Sequence, residues 1–209
     1  MLLSGAMGEG ISDWSRFERL TPFRVRDVLL VASHFDHYLL EESGYLAEIM
    51  QEEYSDLNLS QAPRIIHSPD ARDALRLLST REFDLVITMA RVGEMDVKAF
   101  GTEAKRVIEG LPVVMLSHNT RELATLSAGD GIDRIFVWTG DSRILLSICK
   151  LIEDERNVEN DVRDGDVQVI LLVEDSRRFY SAYLPLLYTQ LVNQTTRLSG
   201  CLLNTLYAR

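Results

Sequence analysis

Five short apolar runs, each followed by a segment of helical periodicity, constrain this chain more than anything else in it. Val25 to Ala32 is continuously apolar rather than alternating, which predicts a strand buried on both faces. Tyr38 to about Tyr54 comes next, with Leu39, Leu46, Ile49, Met50 and Tyr54 in a helical stripe. Arg64 to His67 is a second short strand, and Ser68 and Pro69 suit the cap and first turn of the next helix. There Ala71, Ala74, Leu75 and Leu78 recur at i, i+3, i+4 and i+7. Asp84 to Met89 is the third strand, followed by a helix from Val97 to Glu109 that Gly110 ends. Pro112 to Leu116 is the fourth strand, Thr120 to Ala128 a short helix, and Arg134 to Val137 the fifth strand. The last helix runs from Asp141 or Ser142 past Ile152, with Ile144, Leu145, Ile148, Leu151 and Ile152 on its apolar face.

Strands that alternate with helices over short links need crossover connections, and crossovers make a parallel sheet with helices on both faces. The expected fold is a three-layer, doubly wound, five-stranded α/β sheet of flavodoxin-like order 2-1-3-4-5. Its chemistry belongs at the carboxyl ends of the strands, near strands one and three.

Residues 1–21 read as an N-terminal extension and residues 22–156 as the sheet-bearing unit. Residues 157–166 read as an acidic linker, after which the pattern restarts. Val169 to Val173 repeats Asp27 to Val31 at an offset of 142 residues. Residues 167–209 are therefore expected to hold the first strand and first helix of an incomplete second unit, with Pro185 kinking or delaying that helix. Its segment Phe179 to Val192 is too apolar to stand in water, and must dock on the first unit or on another chain.

The formal charge of −10 excludes a nucleic-acid surface, which needs clustered Lys and Arg. Cys149 and Cys201 lie far apart without metal-ligand spacing, and read as reduced thiols in a cytoplasmic protein. No apolar run reaches the roughly 18 residues of a membrane span.

The expected strand ends carry Ala32 and Ser33, Met89, Ser117, and Trp138. The restarted run ends in Glu174-Asp175, two adjacent carboxylates that suit Mg²⁺; the other reading is an acidic helix start with Asp175 or Ser176 as its cap. His34, His37, His67 and His118 are scattered and read as polar rim residues, although His34 and His118 both succeed strands at the active end. Ser117 and His118 are adjacent, which points their side chains apart and argues against a nucleophile pair.

From Val25 to about Asp154 this order of elements resembles the receiver domain of response regulators. The resemblance implies an acidic pair after strand one, a phosphoacceptor aspartate ending strand three, a hydroxyl after strand four and a lysine after strand five. Here Ala32 and Ser33, Met89, Ser117 and Trp138 stand in those places, so only the hydroxyl matches. The resemblance thus implies a degenerate, or pseudo-, receiver with no catalytic residue and no bound cofactor, save for Mg²⁺ at Glu174 and Asp175. The strings VLLVASHFDHYLLEESGYLAEI, FDLVITMARVGEMDV and GIDRIFVWTGDSRILL are similar to the N-terminal receiver-like region of bacterial phosphoenolpyruvate synthase/pyruvate, phosphate dikinase-type (PEP/pyruvate-binding) proteins.

Both resemblances imply a signal-transduction module that is not itself an enzyme. It would dock on a protein partner, a downstream domain or a second copy, through strands four and five and the helix face Ile144 to Ile152. Two alternatives stay open: the regulatory front of a phosphoenolpyruvate synthase-like phosphotransferase, and a flavodoxin-like domain or enzyme for a small ligand. No glycine-rich phosphate turn comes after strand one, which weighs against the last.

Overall fold

A computed structural model of the protein describes residues 20–42, 62–118, 128–129, 131–165 and 167–207. Five strands, β1 (Asp27–Val31), β2 (Arg64–Ser68), β3 (Leu85–Met89), β4 (Val113–Ser117) and β5 (Arg134–Val137), form one sheet in the order β2-β1-β3-β4-β5. Every ladder is parallel, with Val28 opposite Ile65 and Leu85, Val86 opposite Val113, and Val114 opposite Arg134. Five helices accompany it: α1 (His34–Glu42), α2 (Ala71–Thr80), α3 (Val97–Val107), α4 (Arg143–Gly165) and α5 (Arg177–Tyr207).

The continuous apolar runs are explained by two cores. Val28, Leu30, Leu85, Ile87 and Met89 face Leu40 of α1 and Ile144, Leu145 and Ile148 of α4. Leu29, Val31 and Val86 face Ala74 and Leu78 of α2 and Phe100 and Ala104 of α3. Alternate side chains of each strand thus enter opposite layers. Asp96 caps α3 through the amides of Lys98 and Ala99. Asp70, not Ser68, caps α2, and the Ser68 hydroxyl donates instead to the Asp70 carbonyl. Gly131, at φ +92°, lies against Gly101 of α3, where a β-carbon would meet the Gly131 carbonyl oxygen at 2.5 Å.

Three expectations are corrected. Residues 157–165, expected as part of a linker, instead continue α4 unbroken to Gly165. The cause is a clamp on the chain before β1. Glu153 Oε1 accepts the Val25 amide at 2.8 Å, Asn157 Oδ1 the Phe23 amide at 2.9 Å, and Asp161 Oδ1 the Thr21 amide at 2.9 Å. Asn157 is 1% exposed and also donates to the Phe23 and Glu153 carbonyls.

Val169 to Val173, expected as the first strand of a second unit, forms no ladder with any described strand. A strand exists only through its partner, and here Val169, Leu171 and Val173 stand 62%, 82% and 81% exposed while Leu172 turns toward the core.

The helix face expected to meet a partner is already covered. Ile144, Leu145, Ile148 and Ile152 are buried under the sheet, and α5 packs on both β5 and α4 with Leu184 buried. The segment from Phe179 has therefore docked in cis only through Tyr180, Leu184 and Tyr188, while Phe179, Tyr183 and Leu186 stay exposed, and α5 runs through Pro185 without ending.

The expected helix over 120–128 and the later part of the one ending at Tyr54 lie outside the described residues, as does nearly all of 1–21. Among the described residues no helix is long and apolar enough to cross a membrane.

Candidate functional site

The carboxyl end of the sheet gathers the positions that the sequence singles out. Ala32 succeeds β1, is buried, and donates its amide to the Ser68 carbonyl at 3.1 Å. Ser33 starts α1 as its cap: its hydroxyl accepts the Asp36 amide at 3.1 Å and donates to Asp36 Oδ2 at 2.8 Å. Met89 ends β3 at 2% exposure, in the same apolar cluster as Ala32, Phe136 and Trp138. Ser117 ends β4 fully buried, and its carbonyl accepts the Trp138 amide at 2.9 Å.

Trp138 succeeds β5 at 9% exposure, with an indole N–H that is buried and has no hydrogen-bond partner. A thioether offers no oxygen for phosphoryl transfer, and an indole carries no charge to set against a developing anion.

Two groups come into this end that the sequence did not single out as partners. Asp36 Oδ1 lies 3.1 Å from His118 Nε2, so one carboxylate ties the start of α1 to the loop after β4. The His118 ring meets Trp138 edge-on at 4.7 Å. The Ser-x-x-acid spacing of Ser33 and Asp36 was the available signal for half of this network. The order of groups decides its chemistry. A serine nucleophile needs the imidazole between hydroxyl and carboxylate, whereas here the carboxylate stands between Ser33 and His118. The network pins α1 and leaves Ser33 unactivated.

His34, which succeeds β1, lies against His67 of β2. The ring of His67 stacks on His37 at 3.9 Å and meets His34 edge-on at 5.6 Å. Its Nε2–H donates to the Ala32 carbonyl at 2.8 Å. Burial, then the neighbouring His67, hold the His37 imidazole below its ordinary 6.5, with Glu41 acting in the other direction.

Glu174 and Asp175 stand just before α5, where Glu174 Oε1 accepts the Ser176 amide at 2.9 Å and Asp175 is exposed. That is the geometry of a helix start. Among the described residues no three His, Cys, Asp or Glu side chains are arranged to hold a metal ion.

The opposite, amino end of β4 and β5 has an open cleft of about 420 Å³, lined by Lys105, Asp133, Arg134, Glu155 and Arg156 among others. Its cations are engaged: Lys105 with Asp133 at 2.5 Å, Arg134 with Glu155, and Arg156 with the Gly110 carbonyl and the Phe23 ring. Lys105 and Arg134 thus stand in ion pairs, while Arg156 is held by an uncharged carbonyl and ring.

No family model matches the chain, and no curated protein matches it either. Solved structures do. A CheY-like response regulator receiver domain from Methanospirillum hungatei JF-1 is 18% identical at a TM-score of 0.50, over 65% of this chain and 98% of that one. The signal receiver domain of an HD domain-containing protein from Pseudomonas fluorescens Pf-5 is 23% identical at 0.45, over 66% and 94%. A CheY-like receiver domain from Methylobacillus flagellatus is 16% identical at 0.46, over 61% and 98%. At these identities the likeness is one of fold: the chain carries the flavodoxin-like receiver fold with its sheet order 2-1-3-4-5.

Proposed function

We propose that this chain is a regulatory protein-interaction module, a receiver-like domain that acts by docking and not by taking up a phosphoryl group. The observation that carries this reading is Met89, buried at 2% exposure at the carboxyl end of β3. In the resembled receivers the phosphoacceptor aspartate ends this strand. Ala32 and Trp138 support the reading, since neither an apolar methyl nor a neutral indole helps to hold Mg²⁺ or phosphate. Of the acidic-pair positions, Ala32 is thereby given over to packing and Ser33 to capping α1, and Trp138 fills the lysine position.

The docking surface is the stripe beside α5, not the covered face of α4. Val167, Val169, Ile170, Leu171 and Val173 are all exposed, and the backbone between them is unpaired with any described strand. The segment repeats β1, a strand that is flanked on both sides, so its composition suits a paired strand. The occupant we assign is the same stripe of a second copy, related by a two-fold axis, because an uncharged apolar edge is complementary to itself.

Incubation with Mg²⁺ and acetyl phosphate or beryllofluoride tests both parts, read by intact mass and by size-exclusion light scattering. The reading expects no adduct and a concentration-dependent dimer that Leu171→Lys weakens. A stoichiometric phosphoryl adduct would overturn the first part. A monomer at every concentration would overturn the second.

A further inference from the structure

We propose that His34, His37 and His67 form an acid-operated latch that holds α1 on β2 while the rings are neutral and releases it when they take up protons. All four histidines of the chain lie at the carboxyl end of the sheet, and three of them touch. His67 is the centre. Its Nε2–H is committed to the Ala32 carbonyl, so a second proton can add only at Nδ1, and the ring then carries a positive charge between His37 and His34.

Three features make that charge unwelcome. The His37 and His67 rings are stacked at 3.9 Å, close enough for two cations to repel strongly where both are half-buried. His34 and His37 occupy the first turn of α1, where a positive charge opposes the helix dipole. Among the described residues the groups facing the cluster are Glu41, 3.6 Å from His37 Nε2, and Asp36 on the same helix, with His67 from β2. Asp36 is already engaged by Ser33 and His118, which leaves Glu41 as the one carboxylate to offset three imidazolium rings.

Linkage gives the direction. His37 is held below 6.5 in the docked state, so the released state binds more protons. Docking is at full strength above pH 6.5 and is lost as pH falls through the window between 6.5 and the docked value. The contact from Asp36 Oδ1 to His118 Nε2 ties α1 to the loop after β4, away from the β2 side where the three rings lie. Opening uncovers Leu40, which is fully buried when α1 is docked.

Hydrogen exchange of the α1 amides, corrected for intrinsic rates, tests the latch on the full chain between about pH 7.5 and about pH 5.5. Opening of α1 should rise roughly 10-fold as like charges accumulate in the stacked rings, while β3 and β4 stay protected. His67→Phe keeps a ring in the stack and removes the proton site, and should flatten the dependence. Unchanged protection in the wild type, or an equal rise in His67→Phe, would overturn the proposal. Should that variant fail to fold, the imidazole resonances of the wild type decide. His34, His37 and His67 titrating independently and at ordinary values removes the latch. A pH response that EDTA abolishes would assign the cluster to a metal instead, and equally overturn it.

Discussion

The Ser181 hydroxyl accepts the Val137 amide at 2.9 Å and donates to the Arg177 carbonyl at 2.7 Å. Val137 closes the edge strand β5, and Ser181 belongs to α5, so a helical side chain occupies a hydrogen bond that a sixth strand would otherwise take. Both residues are 3% exposed. Ser181→Ala would strand a buried amide, at about 1–3 kcal/mol. The expected result is a lower urea midpoint with an unchanged slope, and faster exchange at Val137 than at β3.

Asn157→Ala should be the most damaging polar change in α4. It removes one acceptor and two donor contacts at a side chain with 1% exposure, and leaves the Phe23 amide without its partner. A loss of roughly 2–3 kcal/mol is expected, from one unsatisfied buried group and the cavity beside it. Thermal unfolding of Asn157→Ala beside the exposed control Glu159→Ala measures it; equal melting temperatures would remove the clamp.

Gly101→Ala tests the approach of α3 to the turn before β5. The added methyl would sit 2.5 Å from the Gly131 carbonyl oxygen, a backbone atom that cannot swing away. Helix propensity alone favours alanine by about 1 kcal/mol, whereas forced overpacking costs about 1–3 kcal/mol. Net destabilisation in chemical unfolding is expected.

Tyr188 donates to Asp154 Oδ2 at 2.7 Å and links α5 to α4. Partial desolvation at the junction of the two helices nevertheless holds the surface Asp154 carboxyl above its ordinary 3.8, and burial with the adjacent carboxylate drives the Tyr188 hydroxyl far upward. Because the folded carboxyl binds its proton more tightly, its contribution to stability falls as pH rises from 3.8 through its folded value. Tyr188→Phe removes the compensating donor and should deepen that fall. Asp154→Asn should remove it. Urea midpoints from about pH 3 to about pH 7 separate the three proteins.

Met89→Asp places a carboxylate in an apolar cluster with Trp138 and Phe136 and no described cation beside it. Several kcal/mol of destabilisation are expected. Restoring one acid should bring instability without acetyl phosphate labelling, which intact mass and a melting curve report together.

The strands were legible to within about two residues because burial on both faces is written directly into composition, as in Asp27–Val31 and Leu85–Met89. The end of α4 was not legible. Glu153, Asn157 and Asp161 look the same in a sequence whether they face water or backbone amides. Val169 to Val173 carries every local mark of a strand, yet pairing is non-local and no run can supply its own partner. The site positions were legible because strand ends fix them. The bond from Asp36 to His118 joins residues 82 apart, and that from His67 to Ala32 spans 35, distances at which spacing says nothing.

The clamp of α4 on Thr21, Phe23 and Val25 has a consequence in time. Four helical residues advance about 6 Å and two extended residues about 6.6 Å, so three rungs fit before the two rulers drift apart. The Val25 amide and its acceptor are separated by 128 residues, so on the ribosome the lead into β1 emerges long before the carboxylate that fixes it. The opening stretch of the sheet is therefore among the last to be settled. A nascent chain stopped before Glu153 holds β2, β3, β4 and β5 in full but has no means to secure the approach to its central strand.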